Sequence, residues 1–136
     1  MTVRIGSPNK GPTVVAIDDQ LENLILLQAI IEHRGYTFLG ATSGAEGIGL
    51  AAQAAPRLIL LDVQMPDMDG FETCRQLRGI WALKATPIAF LTACKTGADV
   101  QAGMKAGGDD FLMKPFDAEK LLARIEHWTS RKPIPA

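Results

Sequence analysis

Cysteine is scarce in this chain. Its 136 residues include two, Cys74 and Cys94, too few for the disulfide framework of a small secreted domain. The opening segment, MTVRIGSPNKGP, has no apolar stretch of the kind a secretory signal carries. Both thiols are therefore expected in the reduced state, in the cytoplasm. No apolar run approaches the ~18 residues that a membrane-spanning helix needs. A basic stripe is also missing, because 14 Lys and Arg are scattered among 15 Asp and Glu for a net charge of −1. Without a surface to neutralise a phosphate backbone, nucleic-acid binding by the chain alone is not expected. Repeats and low-complexity tracts are absent too, which removes solenoids and structureless polymers from consideration.

What is present has the composition of one globular domain: 47% hydrophobic and 21% charged residues. A chain of this length buries roughly two-thirds of its unfolded surface, so it needs no metal or disulfide to hold it together. Residues 1–12 carry Gly6, Pro8, Gly11 and Pro12 and read as a flexible lead-in. Patterned sequence fills residues 13–129, and residues 130–136, with Pro133 and Pro135, read as a tail or a cut linker.

Within the patterned region two periodicities alternate. Val14–Ile17 is a short apolar run rich in β-branched residues, hence a buried strand. Leu21, Leu24, Ile25, Leu27 and Ile31 then recur at helical spacing, and Gly35 after His33 and Arg34 is a stop signal. Thr37–Ala41 is a second strand. Ser43 and Glu46 have capping-box spacing ahead of a helix that must end before Pro56. Leu58–Leu61 is a third strand, followed by a turn-rich segment to Gly70. Asp69 with Glu72 opens a helix through Phe71, Cys74 and Leu77. Ile88–Thr92 is the fourth strand, Thr96 with Asp99 caps a fourth helix, Phe111–Met113 is the fifth strand, and Asp117 opens the last helix. Five strands alternating with five helices predict a doubly wound parallel α/β sheet. Ligands of such sheets sit at the carboxyl ends of the strands.

Those ends carry chemistry. Asp18 and Asp19 follow the first strand, Asp62 the third, Thr92 the fourth and Lys114 the fifth. Taken singly, each has an ordinary reading: Asp18-Asp19 as a helix cap, Asp62 as the start of a turn, Thr92 and Lys114 as strand-end residues. Together they place three carboxylates, a hydroxyl and an ammonium at one edge. Two carboxylates ~5 Å apart repel by roughly 3 kcal/mol at an effective dielectric of ~20. A hard divalent cation relieves that repulsion, and an oxygen-only donor set without Cys or His suits Mg²⁺ rather than zinc. Lys114 adds a compact positive charge that can meet phosphoryl oxygens.

Over residues 13–129 the sequence resembles the response-regulator receiver domains of two-component signalling, in their chemotaxis-type single-receiver form. The resemblance is carried by AIDDQ around Asp18-Asp19, LILLDVQMPDMDGFE around Asp62, FLTA at Thr92 and GGDDFLMKPF around Lys114. The spacings suit the family: 43 residues from Asp19 to Asp62, 30 to Thr92 and 22 more to Lys114. It implies a flavodoxin-like fold with strand order 2-1-3-4-5. It also implies that Asp62 accepts a phosphoryl group from a phosphohistidine on a sensor kinase or a histidine phosphotransfer protein. Mg²⁺ would be held by Asp19, Asp62 and the backbone carbonyl of Gln64, with Asp18 acting through water. Lys114, the Thr92 hydroxyl and the Ala93 N–H would take the phosphoryl oxygens.

A switch follows from the same resemblance. Thr92 would move toward the phosphoryl group and Phe111 would turn inward, changing the face built by the fourth helix (about Gly97–Ala106), the fifth strand and the last helix. That face would control an unidentified downstream protein, as a monomer or as a phosphorylation-dependent dimer. Phenylalanine at position 111 lacks the hydroxyl that many relatives carry there. Gln64 and Cys94, both non-acidic, would give no strong help to hydrolysis, so a phosphoryl lifetime longer than seconds is expected. The family also suggests a cis Lys114–Pro115 bond. Such a protein is not an enzyme on other substrates and catalyses only its own phosphorylation and dephosphorylation.

Two other classes fit less well. An aspartyl-nucleophile phosphatase of the dehalogenase type needs an acid where Gln64 stands. A flavodoxin-like electron carrier needs a Ser/Thr/Gly phosphate loop where Asp18 and Asp19 stand. Within the family, a stand-alone or phosphorelay module is expected ahead of a receiver cut from a larger regulator or hybrid kinase. Cys74 reads as core, His33 as a helix-end cation, and Trp128 as either core or interface.

Overall fold

The computed structural model describes residues 9–93 and 96–130. Five strands, β1 (Thr13–Ile17), β2 (Thr37–Ala41), β3 (Leu58–Asp62), β4 (Ile88–Thr92) and β5 (Asp110–Met113), alternate with five helices. The helices are α1 (Leu21–His33), α2 (Gly44–Ala54), α3 (Gly70–Arg78), α4 (Gly97–Ala106) and α5 (Ala118–Thr129). Every strand pair is parallel and the sheet order is β2-β1-β3-β4-β5. This is the doubly wound, flavodoxin-like arrangement that the alternation of periods and the family resemblance predict. Among the described residues, no helix is long and apolar enough to cross a membrane.

Side chains alternate across the sheet and so divide the core in two. Val15, Ile17, Ile59, Leu61 and Phe90 face one side, where Leu50 of α2, Cys74 and Leu77 of α3 and Ala106 of α4 cover them. Val14, Ala16, Leu58, Leu60 and Leu91 face the other, under Leu24, Leu27 and Ile31 of α1 and Leu121 and Ile125 of α5. Each fully buried Leu or Ile stabilises the fold by roughly 1.5–3 kcal/mol relative to its exposed state. β1, β3 and β4 are interior strands, and their apolar runs are buried on both faces.

The helices begin where the sequence places its caps. Ser43 Oγ accepts the Glu46 N–H, and Asp69 Oδ1 accepts the Glu72 N–H. Thr96 and Asp99 complete a reciprocal capping box, and Asp117 Oδ1 accepts the N–H groups of Glu119 and Lys120. Gly35 closes α1 at φ 93°, the left-handed conformation that glycine takes without a steric penalty. α2 ends on Ala55 at φ 49°. A short 3₁₀ turn, Trp81–Leu83, was not expected from the sequence.

The edge of the sheet at the amino ends of the strands is tied by side chains from distant segments. Arg78 donates to the carbonyls of Gly107 (2.8 Å), Leu83 (2.9 Å) and Thr86 (2.6 Å) and pairs with Asp109 at 2.8 Å. Arg57 donates to the carbonyl of Thr129 at 2.8 Å. Asn9 donates to the carbonyls of Glu32 and Tyr36, and the Thr129 hydroxyl meets the Tyr36 hydroxyl.

Candidate functional site

β1 ends at Ile17, and the Asp18 N–H still joins the sheet by donating to the carbonyl of Ala41. Asp18 is fully buried. It does not cap α1. The N-cap is Gln20, whose side chain makes no capping bond; instead the Gln20 N–H donates to Asp18 Oδ1 at 2.9 Å. That turn aims Asp18 inward and leaves Asp19 exposed beside it.

Asp62 is the last residue of β3 and is 5% exposed. The loop after it is drawn tight by the Gly70 N–H, which donates to the Val63 carbonyl at 2.8 Å. A Cβ on residue 70 would run into the carbonyl oxygen of Asp62, so glycine there lets α3 start directly behind the carboxylate. Thr92, buried, ends β4. The Lys114 N–H donates to the Thr92 carbonyl at 2.8 Å, fixing the two strand ends against each other. The Lys114–Pro115 bond is cis.

These ends converge. One carboxylate oxygen from each of Asp18, Asp19 and Asp62 lies within 4.8 Å of the others. Lys114 Nζ stands 3.1 Å from Asp18 Oδ2 and 3.1 Å from Asp62 Oδ1, bridging the two buried carboxylates. A cleft of about 200 Å³ opens over them, lined by Asp19, Gln20, Asp62, Gln64, Thr92, Ala93 and Lys114. Every residue singled out from the sequence for the phosphoryl or cation site is in this cleft or directly behind it. Cys94 lies outside the described residues.

The charges do not balance. Burial, then the neighbouring Asp18 carboxylate, push the Asp62 carboxyl up from 3.8 to about 6, against the pull of Lys114. Burial alone would lower the Lys114 ammonium, but Asp18 and Asp62 overcome it and hold the group above its ordinary value. One ammonium faces three carboxylates, and the open side of that cluster is a cleft of hard oxygen donors. Such a donor set fits a small divalent cation with coordination positions left for water or phosphate oxygens.

Phe111 is outside the cleft. It is 7% exposed and packs on Phe90 with ring centroids 5.2 Å apart; Phe90 in turn meets Phe71 edge-on at 5.2 Å. A Cβ at Gly103 of α4 would collide with the Phe111 ring, so this glycine makes the room that the ring occupies. Cys74 is fully buried and its thiol is pushed up to about 11, chiefly by burial, which makes it inert core as expected. Trp128 is half-buried against the α1/α5 core and donates its indole N–H to Asp110 Oδ2 at 2.9 Å.

Two residues of the site were not read from the sequence. Gln20 forms part of the cleft wall, and Asn23, in the first turn of α1, donates to Asp18 Oδ2 at 3.1 Å. The available signal was a polar residue in the opening turn of a strongly apolar helix, five positions after Asp18.

Comparison with known proteins agrees with this geometry. The family model of the response regulator receiver domain matches residues 14–126. The DNA-binding dual master transcriptional regulator RpaA of Synechocystis is 39% identical over 114 residues, 84% of this chain and 47% of that protein. Response regulator PleD of Caulobacter vibrioides is 36% identical over 119 residues, 88% of this chain and 26% of that protein. The chain thus spans about half or less of these curated relatives. Among solved structures, chemotaxis protein CheY4 of Vibrio cholerae superposes with a TM-score of 0.84 at 31% identity, covering 87% of this chain and 98% of that one. The receiver domain of sensor histidine kinase PA1611 from Pseudomonas aeruginosa, with a magnesium ion coordinated in its active site cleft, gives a TM-score of 0.83 at 25% identity over 90% of this chain and all of that one. With its fold, its acidic cleft and its sequence in accord, the chain belongs to the response regulator receiver domain family.

Proposed function

We propose that this chain is a phosphoacceptor module whose receiver unit spans residues 13–129 and whose reacting atom is a carboxylate oxygen of Asp62. The observation that carries the reading is the bridge of Lys114 between Asp18 and Asp62 beneath an open acidic cleft. An Asp62 oxygen attacks the phosphorus of a phosphohistidine. The O–P bond forms as the P–N bond breaks, and the imidazole leaves with the electron pair. Phosphoryl transfer of this kind asks for positioning and charge neutralisation more than for proton transfer. Lys114, the Thr92 hydroxyl and the Ala93 N–H sit around the cleft where the phosphoryl oxygens would arrive. Asp19, Asp62 and the Gln64 carbonyl would hold Mg²⁺, with Asp18 reaching it through water. When bound, the cation supplies the positive charge that lets two anions approach each other.

The partner is a histidine kinase or a histidine phosphotransfer protein. Leu21, Ile25 and Leu26, exposed on the helix that follows Asp19, offer it an apolar landing. Output passes through the α4-β5-α5 face, with Thr92 and Phe111 as the switch pair, to a downstream protein. With Phe111 already packed on Phe90, the inward ring position is available before phosphorylation. Gln64, exposed at the cleft, brings no carboxylate to activate water, which favours a long-lived phosphoryl group. The module works in the cytoplasm and acts on no other substrate. A second reading draws on the lengths of its relatives: a receiver unit within a longer regulator or hybrid kinase, with the same chemistry at Asp62.

Intact mass after incubation with Mg²⁺ and acetyl phosphate tests the reading. One added phosphoryl group is expected, lost in Asp62→Asn and in EDTA. No added mass, with acetyl phosphate or with a phosphorylated kinase as donor, would reduce the protein to a receiver fold used for constitutive binding.

A further inference from the structure

We infer that Asn23 is a positioning residue for the cation site, setting the orientation of Asp18 and through it the affinity for Mg²⁺. The inference rests on the phosphoacceptor reading above. Asp18 is fully buried, so its carboxylate must be satisfied from within the protein. Its Oδ1 accepts the Gln20 N–H at 2.9 Å. Its Oδ2 accepts both Lys114 Nζ and Asn23 Nδ2, each at 3.1 Å. The second Asn23 Nδ2 hydrogen goes to Gln20 Oε1 at 3.0 Å, and Gln20 lines the cleft. One planar amide therefore spans the deep carboxylate and the cleft wall, with both of its hydrogens in use.

This arrangement has two effects. A carboxylate offers about four lone-pair sites, and three are taken here. Asp18 is thereby limited to an outer role, while Asp19 and Asp62 face the cleft with oxygens to offer. The second effect is rigidity. Without Asn23, Oδ2 would answer to the flexible Lys114 side chain alone, and only the Gln20 N–H on Oδ1 would still hold the carboxylate from a fixed point. Partners of a direct ligand are commonly worth ~10–100-fold in metal affinity when removed; Asn23, acting through a water-linked Asp18, belongs at the low end of that range.

The test measures Mg²⁺ binding to the full chain by calorimetry, with no phosphodonor present, and thermal unfolding of the same proteins in EDTA. Asn23→Ala is expected to weaken Mg²⁺ binding about 10-fold, and Asn23→Gln, which keeps the donors, to restore most of it. Asn23→Ser serves the same comparison should the alanine variant not fold. A purely structural asparagine would lower the unfolding temperature in EDTA and leave the Mg²⁺ affinity of the folded protein within about twofold of the parent; that result overturns the inference. Equal weakening in the Ala and Gln variants would assign the effect to helix packing and overturn it as well. If the parent itself takes up no Mg²⁺, the phosphoacceptor reading fails together with this one.

Discussion

Asp62 is folded into a place where its charge is unwelcome, and that has a measurable sign. Burial and the Asp18 carboxylate raise it from 3.8 to about 6, so the folded state holds the proton more tightly than the unfolded chain does. A raised folded value means stability present below the unfolded value and lost as pH rises through the folded one. In EDTA, unfolding free energy is therefore expected to fall between about pH 4 and pH 6, by ~2–3 kcal/mol at most. Urea denaturation of the parent and of Asp62→Asn across that range isolates the contribution, because the asparagine variant should lack it. A parent that tracks the variant at every pH would remove the electrostatic account of the site. The carboxylates themselves were legible in the sequence, because each follows a run of apolar strand residues. Asn23 and Gln20 were not, since their value depends on how the first turn of α1 folds back over Asp18.

Elements tell a different story, best seen in α2. Three glycines interrupt this helix of 11 residues, and they are not equivalent. A Cβ at Gly47 would strike Ile17, so that glycine allows α2 to lie close on β1, whereas a Cβ at Gly49 meets nothing within 4 Å. Gly49→Ala should stabilise the protein by about 0.5–1 kcal/mol, and Gly47→Ala should destabilise it by about 1–3 kcal/mol. Ala55, left-handed just past the helix, should tolerate glycine with a gain of ~1 kcal/mol. Chemical denaturation of the three variants checks all three signs. The Arg78 clasp joins α3 to three later segments, and Arg78→Ala is expected to cost roughly 1–3 kcal/mol in the same assay, since it removes the donors to the Gly107 and Thr86 carbonyls and leaves Asp109 with only the Ile88 N–H. A loss under ~1 kcal/mol would show that water replaces the guanidinium without penalty. Helix and strand bounds were readable to within a residue or so, because caps and apolar runs are local signals. The Trp81–Leu83 turn is too short to show a period, and the clasp gathers Leu83 and Thr86 nearby with Gly107 and Asp109, 29 and 31 residues on, around one guanidinium, which no local signal announces.

For the whole molecule, a cation held in the cleft would couple its binding to folding. An ion that binds only the folded state adds ~2.7 kcal/mol at a hundred times its Kd. Mg²⁺ at that excess should therefore raise the unfolding midpoint near neutral pH, and EDTA should reverse the gain. No shift in the parent would mean that the carboxylates settle their repulsion without a cation. The sheet order at this scale came from family resemblance rather than from the residues, because parallel pairing is non-local and leaves no local trace. Packing at the amino edge carries a consequence for attachment. Asn9, leading into β1, and Thr129, closing α5, both make contact with Tyr36. Residues leading into β1 and closing α5 thus share one anchorage, while the acidic cleft lies at the opposite ends of β1, β3, β4 and β5. A load on Asn9 would fall on the Tyr36 carbonyl and a load on Thr129 on the Tyr36 hydroxyl, both away from the cleft. A tether, a fused protein or a surface attachment at that end would hold the module by its heel, with its reactive mouth facing away.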